Sequence, residues 1–162
     1  MDYLWTPWRY RYVAQAGQDD ACIFCAALAA NDDTGRMIVH RAQHTFIILN
    51  LYPYTTGHSM IVPYRHVPDL AGCDGPTLAE MMQLAQRMQL ALGRIYKPEG
   101  LNLGMNLGRC AGAGVTGHVH LHVLPRWTGD SSFMTTVGET RLHPEDLSET
   151  YRKLRAELSN SA

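Results

Sequence analysis

Apolar positions change their period along the chain, and the changes outline the elements. Met37 to Arg41, Thr45 to Leu49 and His58 to Pro63 are short apolar runs, with Pro53 and Gly57 marking the turn between the second and third. Such runs, too short for helices and bounded by turn residues, predict antiparallel strands. From Pro76 the spacing becomes helical: Leu78, Met81, Met82, Ala85, Met88, Gln89 and Leu92 recur on one face, with Pro76 suited to a first turn and Gly93 near the end. Lys97-Pro98-Glu99-Gly100 then makes a turn into two more strands, Leu101 to Leu107 and Gly117 to Leu124, joined by the Gly-rich segment Gly108 to Gly114. A last helix over 143–158 begins at His143-Pro144, carries Glu145, Asp146 and Glu149 early and Arg152, Lys153 and Arg155 late, as the helix dipole favours, and buries Leu147, Tyr151, Leu154 and Leu158. Residues 1–21 have neither period and read as an extended arm, too aromatic for a disordered tail. The expected fold is therefore α+β, one domain over 1–162, with about five antiparallel strands and two helices packed on the sheet.

Composition narrows the function classes. A chain of 162 residues buries roughly 70% of its unfolded surface, enough for a core without disulfide staples. The 14 basic and 15 acidic side chains give a net charge of −1, which argues against a nucleic-acid binder or a polybasic membrane binder. No apolar run approaches the ~20 residues of a membrane span, and the N-terminus has no signal-peptide core, so the expected location is cytoplasmic. There the four cysteines should be thiols. Cys22 and Cys25 form a Cys-x-x-Cys pair that suits either a zinc knuckle or a redox dithiol, while Cys73 and Cys110 are incidental.

The strongest chemical signal is Gly117-His118-Val119-His120-Leu121-His122-Val123-Leu124-Pro125. Alternate side chains of a strand share a face, so three imidazoles project together while Val119, Leu121 and Val123 enter the core. Such a face could be merely solvated, could chelate metal, or could carry out nucleophilic catalysis at phosphorus with one ring attacking and its neighbours orienting and stabilising charge.

The run His118 to Leu124 resembles the defining His-φ-His-φ-His-φ-φ motif of the histidine triad (HIT) superfamily. The likeness extends to Asn50, Gly57 to Pro63, His66 to Leu70, Asn106-Leu107-Gly108 and Pro125-Arg126-Trp127. Leu4 to Arg9 and Cys22 to Cys25 look like the bacterial branch that includes diadenosine-tetraphosphate phosphorylases and hydrolases. The resemblance implies nucleotidyl transfer through a covalent nucleotidyl-histidine, with His120 attacking the α-phosphorus, His122 donating to the phosphoryl oxygens or leaving group, and His118 completing the triad. It implies Asn50 at the ribose, and Asn106 with Gly112, Ala113 and Gly114 at the phosphates, where glycines permit close approach. His58 either lines the nucleotide pocket or satisfies a partner beside the strand, and Trp127 either covers the nucleotide or packs. Zinc-bearing relatives complete a Cys-x-x-Cys site with two histidines, which would be His66 and His118 here, giving a closed structural site with Cys22 and Cys25. Family members pair as homodimers.

One departure stands out. Where many family hydrolases carry a Gln-Ser or Gln-Thr pair before the triad, this chain has Gly114 and Val115, neither able to donate a side-chain hydrogen bond. That favours a phosphorylase using inorganic phosphate, with Arg126 or Arg109 supplying charge for the anionic acceptor, over a hydrolase of dinucleoside polyphosphates or phosphoramidates. A zinc-stabilised nucleotide-binding module without turnover is the reading from another class.

Overall fold

The computed structural model describes residues 22–131, 135, 137 and 145–160. The expected arm over 1–21 and the helix start at His143-Pro144 lie outside the described residues. Five strands, β1 (Ile38–Arg41), β2 (Thr45–Leu49), β3 (Ser59–Pro63), β4 (Gly100–Gly104) and β5 (Leu121–Arg126), form one antiparallel sheet in the order β1-β2-β3-β5-β4. The described helices are α1 (Ile23–Ala29), α2 (Gly75–Tyr96) and α3 (Leu147–Asn160). Both expected helices are present, and among the described residues there is a third, α1, over the Cys-x-x-Cys segment. Its seven residues, four of them alanine or leucine, are good helix formers, yet too few to show a period.

Every residue of β2 and β3 is buried because the sheet is covered on both faces at its centre. Ile47, Leu49, Ile61, Leu121 and Val123 meet Met81, Leu84, Ala85, Met88 and Leu92 of α2, joined by Tyr151, Leu154 and Leu158 of α3. Phe46, Ile48, Met60 and Val62 point the other way, where Phe24 and Ala27 of α1 cover them. The Asp74 carboxylate caps α2 by accepting from the Thr77 N–H, Pro76 sits in its first turn, and Lys97 in the left-handed region ends it. Glu80 of α2 reaches the sheet, its carboxylate accepting from the Gln43 and His44 N–H groups and the Thr45 hydroxyl.

Candidate active site

The triad lies where β5 begins, and its three imidazoles are at most 9% exposed. The regular strand starts only at Leu121, later than the expected Gly117. The reason lies across the sheet. After the Ile61–Leu121 pair the facing strand reaches Pro63, which has no N–H to donate, and the Val119 N–H instead donates to the Val67 carbonyl at 2.7 Å. The His118 Nε2–H takes over the Pro63 carbonyl at 2.8 Å. His118, His120 and His122 nonetheless share the face toward α1, with Leu121 and Val123 turned into the α2 core.

Each ring is held in one tautomer, because a carbonyl can only accept and a main-chain N–H can only donate. His120 donates from Nδ1 to the His118 carbonyl at 2.9 Å, which leaves the Nε2 lone pair unprotonated. His118 donates from Nε2 to Pro63, leaving its Nδ1 lone pair toward the Cys22 and Cys25 sulfurs at 3.3 and 3.7 Å. The Tyr54 N–H donates to His58 Nδ1 at 3.1 Å, so His58 carries its proton on Nε2 and donates this N–H to His122 Nδ1 at 2.9 Å. His122 Nε2 therefore carries an N–H. A lone pair on His120 and a donor on His122 stand side by side, ring centroids 4.8 Å apart. Burial pushes His118 and His120 below the ordinary histidine range, and burial with the neighbouring His120 pushes His122 down to about 4. All three are neutral at pH 7, as a nucleophile and an uncharged donor require.

His58 is 1% exposed with both ring nitrogens engaged. It stands against His122 and the Tyr54 N–H, which fits the second of the two readings left open by the sequence, a histidine that satisfies a partner beside the strand. Gly57, with φ of +83° and its missing Cβ 2.9 Å from Leu92 Cδ2, brings the chain close enough to α2 to seat His58 there. Asn50 follows β2, its N–H donating to the His58 carbonyl and its Oδ1 accepting from the Tyr52 N–H. Asn106, Ala113, Gly114 and Trp127 are half-buried and Gly112 is exposed. The loop carrying Asn106, Gly112, Ala113 and Gly114 leaves β4 at Gly104, the register partner of His122, and returns at His118, so both its ends are fixed at the triad, while Trp127 directly follows β5. Val115 packs on the Phe24 cluster. Arg126 is bound through two nitrogens to Asp130 at 2.6 and 2.8 Å and to Asn102 at 2.7 Å, which removes it as a charge for an acceptor. Arg109, in the exposed turn after Gly108, has no such partner among the described residues.

The second cluster is Cys22, Cys25, His66 and His118, whose ligand atoms lie within 4.8 Å of one another. Two sulfurs and two imidazole nitrogens are the donor set that suits tetrahedral zinc, and His118 already presents its Nδ1 lone pair toward the sulfurs. His66 Nδ1 is 3.4 Å from Cys25 Sγ, and a Cβ on Gly117 would press on the His66 ring at 3.2 Å. Sequence reasoning missed Phe24, whose ring lies 5.4 Å from that of His118 and 5.0 Å from that of His120. Its place inside the Cys-x-x-Cys pair was the available signal.

In this antiparallel α+β domain a buried neutral imidazole with a free Nε2 lone pair stands beside a buried imidazole donor, an arrangement with the parts that nucleophilic chemistry uses. The HIT domain model matches residues 33–129, and the chain belongs to that family of nucleotide-processing enzymes. It is 37% identical over 162 residues to the AP-4-A phosphorylase of Mycobacterium tuberculosis strain H37Rv, covering 95% of this chain and 83% of that protein. A Zn-bound histidine triad family protein from Mycobacterium smegmatis superposes with a TM-score of 0.71 at 31% identity, over 87% of this chain and 95% of the other. A hypothetical histidine triad nucleotide-binding protein from Sulfolobus tokodaii gives a TM-score of 0.70 at 28% identity, over 86% of this chain and 93% of the other.

Proposed function

We propose that this protein is a diadenosine-polyphosphate phosphorylase that works through a nucleotidyl-His120. The observation that carries the reading is the tautomer of His120, which leaves Nε2 free to attack while Nδ1–H is held by the His118 carbonyl. In the first step Nε2 forms a bond to the α-phosphorus and the bond to the bridging oxygen breaks, with the nucleoside polyphosphate leaving. His122, fixed by His58 as an Nε2–H donor, stabilises the charge growing on the phosphoryl and leaving oxygens. In the second step inorganic phosphate attacks the phosphoramidate, restoring neutral His120 and giving a nucleoside diphosphate. Asn50 holds the ribose, Asn106 with Gly112, Ala113 and Gly114 receives the phosphates, and Trp127 covers the nucleotide. His58 acts through His122 and is a positioning residue.

The likeness to a named AP-4-A phosphorylase supports the substrate class, and Gly114-Val115 in place of a donor pair supports phosphate over water as acceptor. Cys22, Cys25, His66 and His118 would hold a structural zinc, which when bound supplies a cross-link between α1, the segment after β3 and the start of β5. The chain works as a homodimer in the cytoplasm, a reading supported by exposed Met82 and Leu90 on α2 and Leu103 on edge strand β4, and by the unpaired cysteines. No helix among the described residues is long and apolar enough to cross a membrane.

The test is acceptor dependence. With diadenosine tetraphosphate the protein should yield ADP and ATP at a rate that rises with added phosphate, and little AMP. AMP and ATP at a phosphate-independent rate would establish a hydrolase, and turnover of adenosine phosphoramidate alone would remove the polyphosphate reading.

A further inference from the structure

The nucleophile is tied to the thiol cluster by three separate contacts. His118 faces both sulfurs with Nδ1 and holds the His120 Nδ1–H with its carbonyl. The main chain between them is fixed by the Val119 N–H on Val67, next to His66. Phe24, carried between the two cysteines on α1, lies edge-on to His118 and tilted against His120 while itself 1% exposed. Cys22 and Cys25 are both half-exposed and Cys25 touches the exposed His66, so a small oxidant reaches them although His118, which both sulfurs face, is buried.

We propose that Cys22 and Cys25 form an oxidation-sensitive latch on the nucleophile: their conversion to a disulfide by a hydroperoxide unfastens His118 and Phe24 and lets His120 leave its reactive tautomer. The inference rests on His120 being the nucleophile and goes beyond the zinc site itself, assigning these thiols a modification. The chemistry balances. One thiol attacks the peroxide O–O bond, which breaks to give a sulfenic acid and one water from hydrogen peroxide, or one alcohol from an organic hydroperoxide. The second thiol displaces hydroxide from that sulfur as water, closing the S–S bond. Two electrons pass from the sulfurs to the peroxide, and zinc(II), where bound, leaves unchanged with His66 and His118 no longer held by it. Drawing the sulfurs into bonding distance redraws the first turn of α1 and with it the seat of Phe24.

The full-length zinc-loaded protein carrying Cys73→Ser and Cys110→Ser is titrated with hydrogen peroxide. Zinc release, free thiols, nucleotidyl adduct by intact mass, and the nitrogen-15 histidine spectrum that reports ring tautomers are followed together. The latch predicts one zinc released per disulfide, a fall in adduct formation of about 10- to 100-fold, and loss of the single Nδ1–H form of His120. All three should be restored by thiol reductant with zinc. Cys25→His cannot close the disulfide, so its zinc content and adduct rate, each compared with its own untreated sample, should not change further under the same peroxide. Disulfide formation that leaves the His120 tautomer and the adduct rate unchanged would overturn the latch, and so would a pair that stays reduced while adduct formation falls. Absence of adduct from the untreated protein would instead refute the nucleophile, and the tautomer spectrum would still decide the latch.

Discussion

His58 and His122 show how much of this site depends on one buried hydrogen bond. His58 Nε2–H fixes which nitrogen of His122 carries the outward proton, and His58 is itself fixed by the Tyr54 N–H. His58→Ala should therefore lower kcat by about 10- to 100-fold with KM little changed, measured by steady-state kinetics with the nucleotide dissociation constant as control. A raised KM at unchanged kcat would mean that His58 holds nucleotide directly. The same burial writes a pH dependence into stability. Native His122 stays neutral down to about pH 4, whereas an unfolded imidazole titrates near 6.5. Between those values the unfolded chain binds more protons, so the stabilisation is complete above pH 6.5 and is lost as pH falls toward 4. This residue alone accounts for about 3 kcal/mol at the lower end. His118 and His120, also shifted down, act in the same direction. Denaturation midpoints followed from neutral to acid pH should fall through this window, and His122→Gln should flatten part of the fall.

At the scale of elements, α1 connects the thiols, the second core cluster and His120 through Phe24. Phe24→Ala removes a buried ring and should cost about 3–5 kcal/mol, read by denaturant unfolding, and should slow adduct formation by loosening His120. A loss of stability with the adduct rate intact would confine Phe24 to packing. This helix was the part least legible in the sequence, because Ile23–Ala29 is too short to display a 3.6-residue period. The long helix was legible because Met81, Ala85, Met88 and Leu92 repeat on one face, although it extends to Tyr96 and passes through Gly93. The triad face was legible from strict alternation. The start of β5 was not, since it depends on what Pro63 lacks and on where the Val119 N–H goes instead, and both are facts about another strand and loop. His58 was ambiguous for the same reason: its partner lies 64 residues away, and sequence spacing carries no sign of it. Arg126 could not be discounted until Asp130 and Asn102 were seen to occupy it.

Across the whole molecule, the sheet separates two tasks. One face is a packed core under α2 and α3, and the other holds the histidines against α1 and the thiol cluster. The helix on the second face, α1, is short and buries only Phe24 and Ala27, so a metal held by the Cys-His cluster would add a cross-link there. Protein purified without chelator should carry about one zinc per chain, the stoichiometry of a closed four-ligand site. Cys22→Ala and His66→Ala should each lose metal and melting temperature together, checked by elemental analysis and thermal unfolding. Zinc-free protein purified under reductant without chelator would remove the metal from the account. The two faces meet at His118, which offers Nδ1 to the thiols and its carbonyl to His120, and the claim on which everything else depends is that His120 attacks phosphorus. The most direct measurement is the mass of the intact protein quenched in base during turnover of diadenosine tetraphosphate without phosphate. One added AMP per chain is predicted, stable in base, lost in acid, and mapped by peptide sequencing to His120, with His120→Ala folded and unmodified. An adduct on another residue, or turnover retained by His120→Ala, would contradict it.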